Sequence, residues 1–89
     1  MSPERLIVVD HEALSDLRYW VRTEPRVALR ILELIEHTIR DPLHGIGKPE
    51  PLKHRRSNYW SRRITREHRL VYLVRGDRVI FLQARYHYS

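Results

Sequence analysis

Hydrophobic and polar positions follow two different periods along the chain, and the change from one to the other separates a helical half from a sheet half. Leu6 to Val9 is a short aliphatic run ending at Asp10, a residue suited to cap a following helix. From His11 to Arg22 the apolar positions Ala13, Leu14, Leu17, Trp20 and Val21 recur at helical spacing, which predicts a helix that packs by that stripe. Thr23, Glu24 and Pro25 interrupt it, and proline is tolerated in a first helical turn but not in an interior. A second helix therefore starts there, with Val27, Ala28, Ile31, Leu34, Ile35 and Ile39 on its inner face. Two helices joined this tightly make an αα-hairpin.

Asp41-Pro42 ends the second helix, and Leu43 to Lys53, with Gly45, Gly47, Pro49 and Pro51, reads as an ordered crossover. Tyr59 to Thr65 and His68 to Arg75 then predict antiparallel strands, and Arg75-Gly76-Asp77-Arg78 supplies a tight turn into Val79 to Tyr86. No internal repeat or low-complexity tract interrupts this order. The expectation is a single domain over residues 1–89 of α+β class, β-α-α-β-β-β, with the helix pair on one face of an antiparallel-rich sheet. The other face is expected to stay open and to carry the arginines, since the helix side is committed to aliphatic packing.

Charge sharpens that expectation. Lys and Arg number 17 against 11 acidic residues, a net charge of +6, and 15 of the 17 are arginine. A planar guanidinium fork binds phosphate oxygens in pairs and stacks on bases, so the balance points to nucleic acid, with an acidic protein equally compatible. The absence of cysteine excludes disulfides, thiolate metal sites and thiol nucleophiles, and no histidine spacing suggests zinc. The opening MSPERLIVVDHE has too short an apolar run for a signal peptide or a membrane span, so a soluble, cytoplasmic protein is expected, with no membrane partner.

Within the sheet half, WSRRITREHRLVY from Trp60 to Tyr72 places Arg62, Arg63, Arg66 and Arg69 among strand formers. Upstream stands GKPEPLKH, Gly47 to His54, and downstream the terminal ARYHY, Ala84 to Tyr88. In order and spacing these three groups resemble the YoeB (Txe) toxins of bacterial type II toxin-antitoxin modules, within the RelE-like superfamily of ribosome-dependent messenger RNA endonucleases. The likeness extends over nearly the whole chain, with Tyr19-Trp20 and Leu34-Ile35 at matching places in the helical half. Departures are mild: Arg55-Arg56 stands in place of a more polar pair, Arg66 precedes Glu67, and both ends carry a few extra residues.

The resemblance implies a toxin that enters the ribosomal A site, cuts the bound mRNA and is neutralised by a YefM/Axe-like antitoxin, with a homodimer possible. By motif it implies Glu50, Arg69, His87 and Tyr88 as the catalytic set. Elementary chemistry agrees: RNA transesterification needs a base for the 2′-hydroxyl, a cation on the phosphate and an acid for the 5′-oxygen. Glu50, Arg69 and His87 match those roles without a cofactor or metal. Lys53, Arg63 and Arg62 are the candidate phosphate-binding cations, Lys53 and Arg63 as positioning groups and Arg62 with a solvated or ion-paired place as the better fit. Tyr59, Tyr86 and Tyr88 offer flat faces for unstacked bases; Tyr72, Phe81, Trp20 and Trp60 are assigned to packing.

Strict alternation creates one conflict. A two-residue turn at Gly76-Asp77 pairs Arg69 with Ala84, which puts Tyr88, and not His87, on the face of Arg69. Either a bulge intervenes or the tail turns, and the turning tail is the favoured expectation. The competing functional reading is a basic module without catalysis, which binds nucleic acid or an acidic antitoxin and has no use for Glu50, Arg69 and His87 together.

Overall fold

The computed structural model describes residues 4–53 and 55–86. Its elements run β1 (Leu6–Val9), α1 (His11–Thr23), α2 (Pro25–Arg40), β2 (Glu50–Pro51), β3 (Tyr59–Arg63), β4 (Arg69–Arg75) and β5 (Arg78–Gln83). The five strands form one mixed sheet in the order β1-β5-β4-β3-β2, and only the β1–β5 pair is parallel. The α+β plan is therefore as expected, with one addition. Glu50 and Pro51, expected within a loop, pair with Ser61 and Trp60 as a two-residue edge strand. Proline fits there because an edge strand can leave one row of backbone groups without sheet partners.

Each helix boundary has a local cause. Asp10 occupies the N-cap of α1 with extended backbone, but its side chain makes no capping hydrogen bond, contrary to the sequence expectation. Glu24 joins the helices, and Pro25 supplies a first-turn residue whose missing N–H costs nothing there. Every inner-face residue expected for α2 is buried, but on α1 only Ala13 and Trp20 are buried, with Leu17 packed beside them. Leu14 and Val21 remain 48% and 57% exposed, because the apolar stripe of α1 is wider than its contact with α2 and the sheet.

The register sorts the sheet into two faces. Trp60, Tyr72 and Phe81 lie side by side on the helix face, with Leu70 and Arg62 paired on the next rung. Tyr72, Phe81, Leu70, Ile31 and Leu34 are almost wholly excluded from water, each apolar side chain of this kind contributing about 1.5–3 kcal/mol. The opposite face carries the row Glu50, Ser61, Val71 and Gln83 and the pair Arg63 and Arg69.

Arginine alternation therefore departs from the expectation of one cationic face. Arg62 lies on the helix side and is 0% exposed, neither solvated nor in an ion pair, and it is not available to phosphate. All three guanidinium nitrogens donate to protein acceptors. Nη1 donates to Ile46 O at 3.0 Å, Nη2 to the carbonyls of Asp41 and His44, and Nε to the Tyr72 hydroxyl at 3.2 Å. Tyr72 in turn donates to Pro42 O at 2.7 Å, and burial pushes its phenol above the ordinary tyrosine range. One buried side chain thus fastens the whole crossover from α2 to β2.

Candidate active site

Gly47 determines how closely that crossover approaches the sheet. It has φ 82°, and a Cβ there would lie 2.9 Å from Leu34 Cδ2 and 3.2 Å from Arg63 O. Its carbonyl accepts the Arg63 N–H at 2.7 Å. From this anchor the chain passes Pro49 into β2, whose pairing with β3 sets Glu50 opposite Ser61. The carboxylate is held on a strand between prolines, with its side chain about half exposed.

Arg69 reaches the same place from β4. Its Nη1 lies 3.9 Å from Glu50 Oε1 and 3.5 Å from Ser61 Oγ, and the side chain is 15% exposed against 53% for Glu50. Arg63 pairs with Arg69 in register and is exposed. One small patch of sheet therefore brings together a carboxylate and two guanidiniums over the hydroxyl of the buried Ser61. Such a patch can hold a phosphate on its arginines and a proton acceptor beside it. At 3.9 Å the Glu50–Arg69 contact is longer than a hydrogen-bonded ion pair, and Glu50 keeps about half its side chain open to water.

The other expected site residues are distributed around it. Tyr59 stands on the face of Ser61 and Arg63, opposite Leu73, and the Arg55 guanidinium lies 5.3 Å from its ring centroid. Lys53 is exposed in the turn after β2. His87 and Tyr88 lie outside the described residues.

The approach to them is nevertheless defined. Tyr72 faces Phe81 while Val71 faces Gln83, so a bulge at Leu82 shifts the register by one. The bulge, the less favoured of the two expectations, removes the premise that Arg69 opposes Ala84. Strand pairing also stops earlier than expected, at Gln83, because α1 claims the next backbone groups. Asp16 Oδ2 accepts the Ala84 N–H at 2.9 Å, and Trp20 Nε1 donates to Ala84 O at 2.8 Å.

Sequence reasoning missed Ser61, Asp16 and His68 as parts of this region. Alternation around Arg63 could have found Ser61, but Asp16 and His68 act through contacts that no local spacing reveals.

Comparison with known proteins is consistent across sequence and structure. The family described as the YoeB-like toxin of bacterial type II toxin-antitoxin systems matches residues 9–88. Toxin YoeB of Escherichia coli K12 is 50% identical over 82 residues, covering 92% of this chain and 98% of that protein. The YoeB dimer from Staphylococcus aureus superposes with a TM-score of 0.88 at 37% identity, covering 97% of this chain and 100% of the other. The YoeB-YefM complex from the same organism gives 0.82 at 40% identity, covering 94% and 99%. A family match spanning nearly the whole chain, and relatives matched along nearly their whole length, lead to one conclusion: this chain belongs to the YoeB-like toxins of bacterial type II toxin-antitoxin systems.

Proposed function

We propose that the chain is an endoribonuclease that cuts messenger RNA in the ribosomal A site and so stops translation. The observation that carries this reading is the 3.9 Å approach of Glu50 to Arg69 on the sheet face away from the helices. One ribose-phosphate unit can touch both groups. Glu50 takes the proton from the 2′-hydroxyl, which attacks the adjacent phosphorus, and Arg69 stabilises the charge that develops on the phosphorane. His87 returns a proton to the departing 5′-oxygen, and Tyr88 supports the cleaved nucleotide by stacking. Atoms balance: one P–O bond forms to the 2′-oxygen, one breaks to the 5′-oxygen, and a 2′,3′-cyclic phosphate results. The chain itself supplies acceptor, cation and donor, so the scheme calls for no metal or cofactor.

Arg63 and Lys53 hold flanking phosphates, and Tyr59 offers a face to an unstacked base. A YefM-like antitoxin and a second copy of the chain are the protein partners, by analogy with the Staphylococcus aureus complex and dimer. Expression in a bacterial host tests the reading. The wild type should arrest translation, while Glu50→Ala and Arg69→Ala should lose roughly a hundredfold to ten-thousandfold in cleavage rate and still bind ribosomes. Arrest that persists undiminished in both folded variants would favour a basic binding module instead.

A further inference from the structure

The segment leaving β5 leads to the proposed acid, and an imidazole with no part in the scheme above holds it. Gln83 Nε2 donates to Arg85 O at 2.8 Å, and the Arg85 guanidinium stacks 3.5 Å from the Tyr19 ring centroid. Tyr86 follows with φ 68°, in the left-handed region that a bulky side chain enters only when its surroundings impose it. Both of its backbone groups are bonded to consecutive residues, His68 just before β4 and Arg69 at its start. Tyr86 O accepts the Arg69 N–H at 3.1 Å, and Tyr86 N–H donates to His68 Nδ1 at 2.7 Å.

That last bond defines the chemical state of His68. A backbone N–H can only donate, so Nδ1 must carry a bare lone pair and the neutral ring must hold its proton on Nε2. The ring is fixed in plane by Trp20, edge-on at 4.8 Å between centroids and 77°, and flanked by Tyr86 at 5.9 Å. Its own backbone is tied as well, with His68 N–H donating to Thr65 Oγ1 at 3.2 Å and His68 O accepting Ile64 N–H at 2.9 Å. An acceptor held this rigidly can impose a conformation on the peptide it binds.

We propose that His68 is a positioning residue: by accepting the Tyr86 N–H on Nδ1 it fixes the left-handed backbone step at Tyr86, whose carbonyl bonds the Arg69 amide, and the cleavage step depends on that hold. The hold itself is independent of the ribonuclease reading; only its effect on rate rests on that reading. A histidine present merely to pack against Trp20 and Tyr86 would be replaceable by phenylalanine. A positioning acceptor would not.

The test compares the full-length wild type with His68→Asn, whose Oδ1 can replace Nδ1 as acceptor, and His68→Phe, which keeps a ring and removes the acceptor. Amide hydrogen exchange should show Tyr86 protected in the wild type and the Asn variant and exposed in the Phe variant, and nitrogen NMR should find the Nε2–H tautomer. On programmed ribosomes His68→Phe should lower kcat by about tenfold to a hundredfold with little change in KM, and His68→Asn should recover most of it. Equal Tyr86 exchange in all three proteins, or an Nδ1–H tautomer, overturns the hold. A clear exchange contrast with unchanged kcat overturns its role in the cleavage step. If the wild type does not cleave RNA at all, the ribonuclease reading fails while the exchange result still decides whether the hold exists.

Discussion

Two arginines adjacent in sequence, Arg62 and Arg63, have opposite fates because one residue along a strand reverses the face. Arg63 points away from the helices and is exposed; Arg62 is buried and bonded to three backbone carbonyls and the Tyr72 hydroxyl. Arg62→Met fills much of the space but leaves those carbonyls without donors, so it should cost about 3–5 kcal/mol in denaturant unfolding. Arg63→Ala should leave stability nearly unchanged. Equal, small effects for both would mean that the crossover is not fastened by Arg62. Tyr72 adds a pH signature. Its folded-state pKa is raised, chiefly by burial, so its contribution is fully present below the ordinary tyrosine pKa and is lost as pH rises through the higher folded value. The alkaline fall in stability should accordingly be shallower in Tyr72→Phe, as read by unfolding midpoints across that range.

At the scale of elements, the parts legible in the sequence were those governed by a local period. The six inner-face positions of α2, the strand pair from Tyr59 and the turn at Gly76 follow from spacing and turn chemistry alone. The two-residue strand β2 and the bulge at Leu82 do not, because each depends on what a neighbouring strand offers rather than on a repeat in its own residues. The makeup of the candidate site was legible in kind: a carboxylate and several guanidiniums in the sheet half. Their sorting was not, since the arginines alternate between faces and Arg62 found its partners in a loop up to 21 residues distant in sequence. That loop also makes Gly47 critical. Gly47→Ala combines a positive φ with a Cβ too close to Leu34, so it should lower stability by about 1–3 kcal/mol and displace Glu50. Activity lost out of proportion to stability would mark the displacement; an unchanged midpoint and rate would show that the crossover adapts.

For the whole molecule, the helix pair gives the sheet a rigid back and leaves its other face to carry Glu50, Arg63 and Arg69. With a net charge of +6, ribosome or RNA binding should weaken steeply with added salt, roughly in proportion to the phosphates neutralised. A flat response in a binding titration would remove nucleic acid as the partner. No helix among the described residues is long and apolar enough to cross a membrane.

In the proposed reaction the RNA's own 2′-hydroxyl is the nucleophile and Glu50 its base. The most direct measurement is cleavage of an mRNA on programmed ribosomes in which the single 2′-hydroxyl at the cut site is replaced by hydrogen or methoxy. Cleavage should disappear while docking of the toxin remains, and the unmodified message should yield a 2′,3′-cyclic phosphate or its 3′-phosphate hydrolysis product. Undiminished cleavage of the modified message at the same bond would contradict this scheme, because the nucleophile would then be something other than the 2′-hydroxyl that the proposal assigns to Glu50.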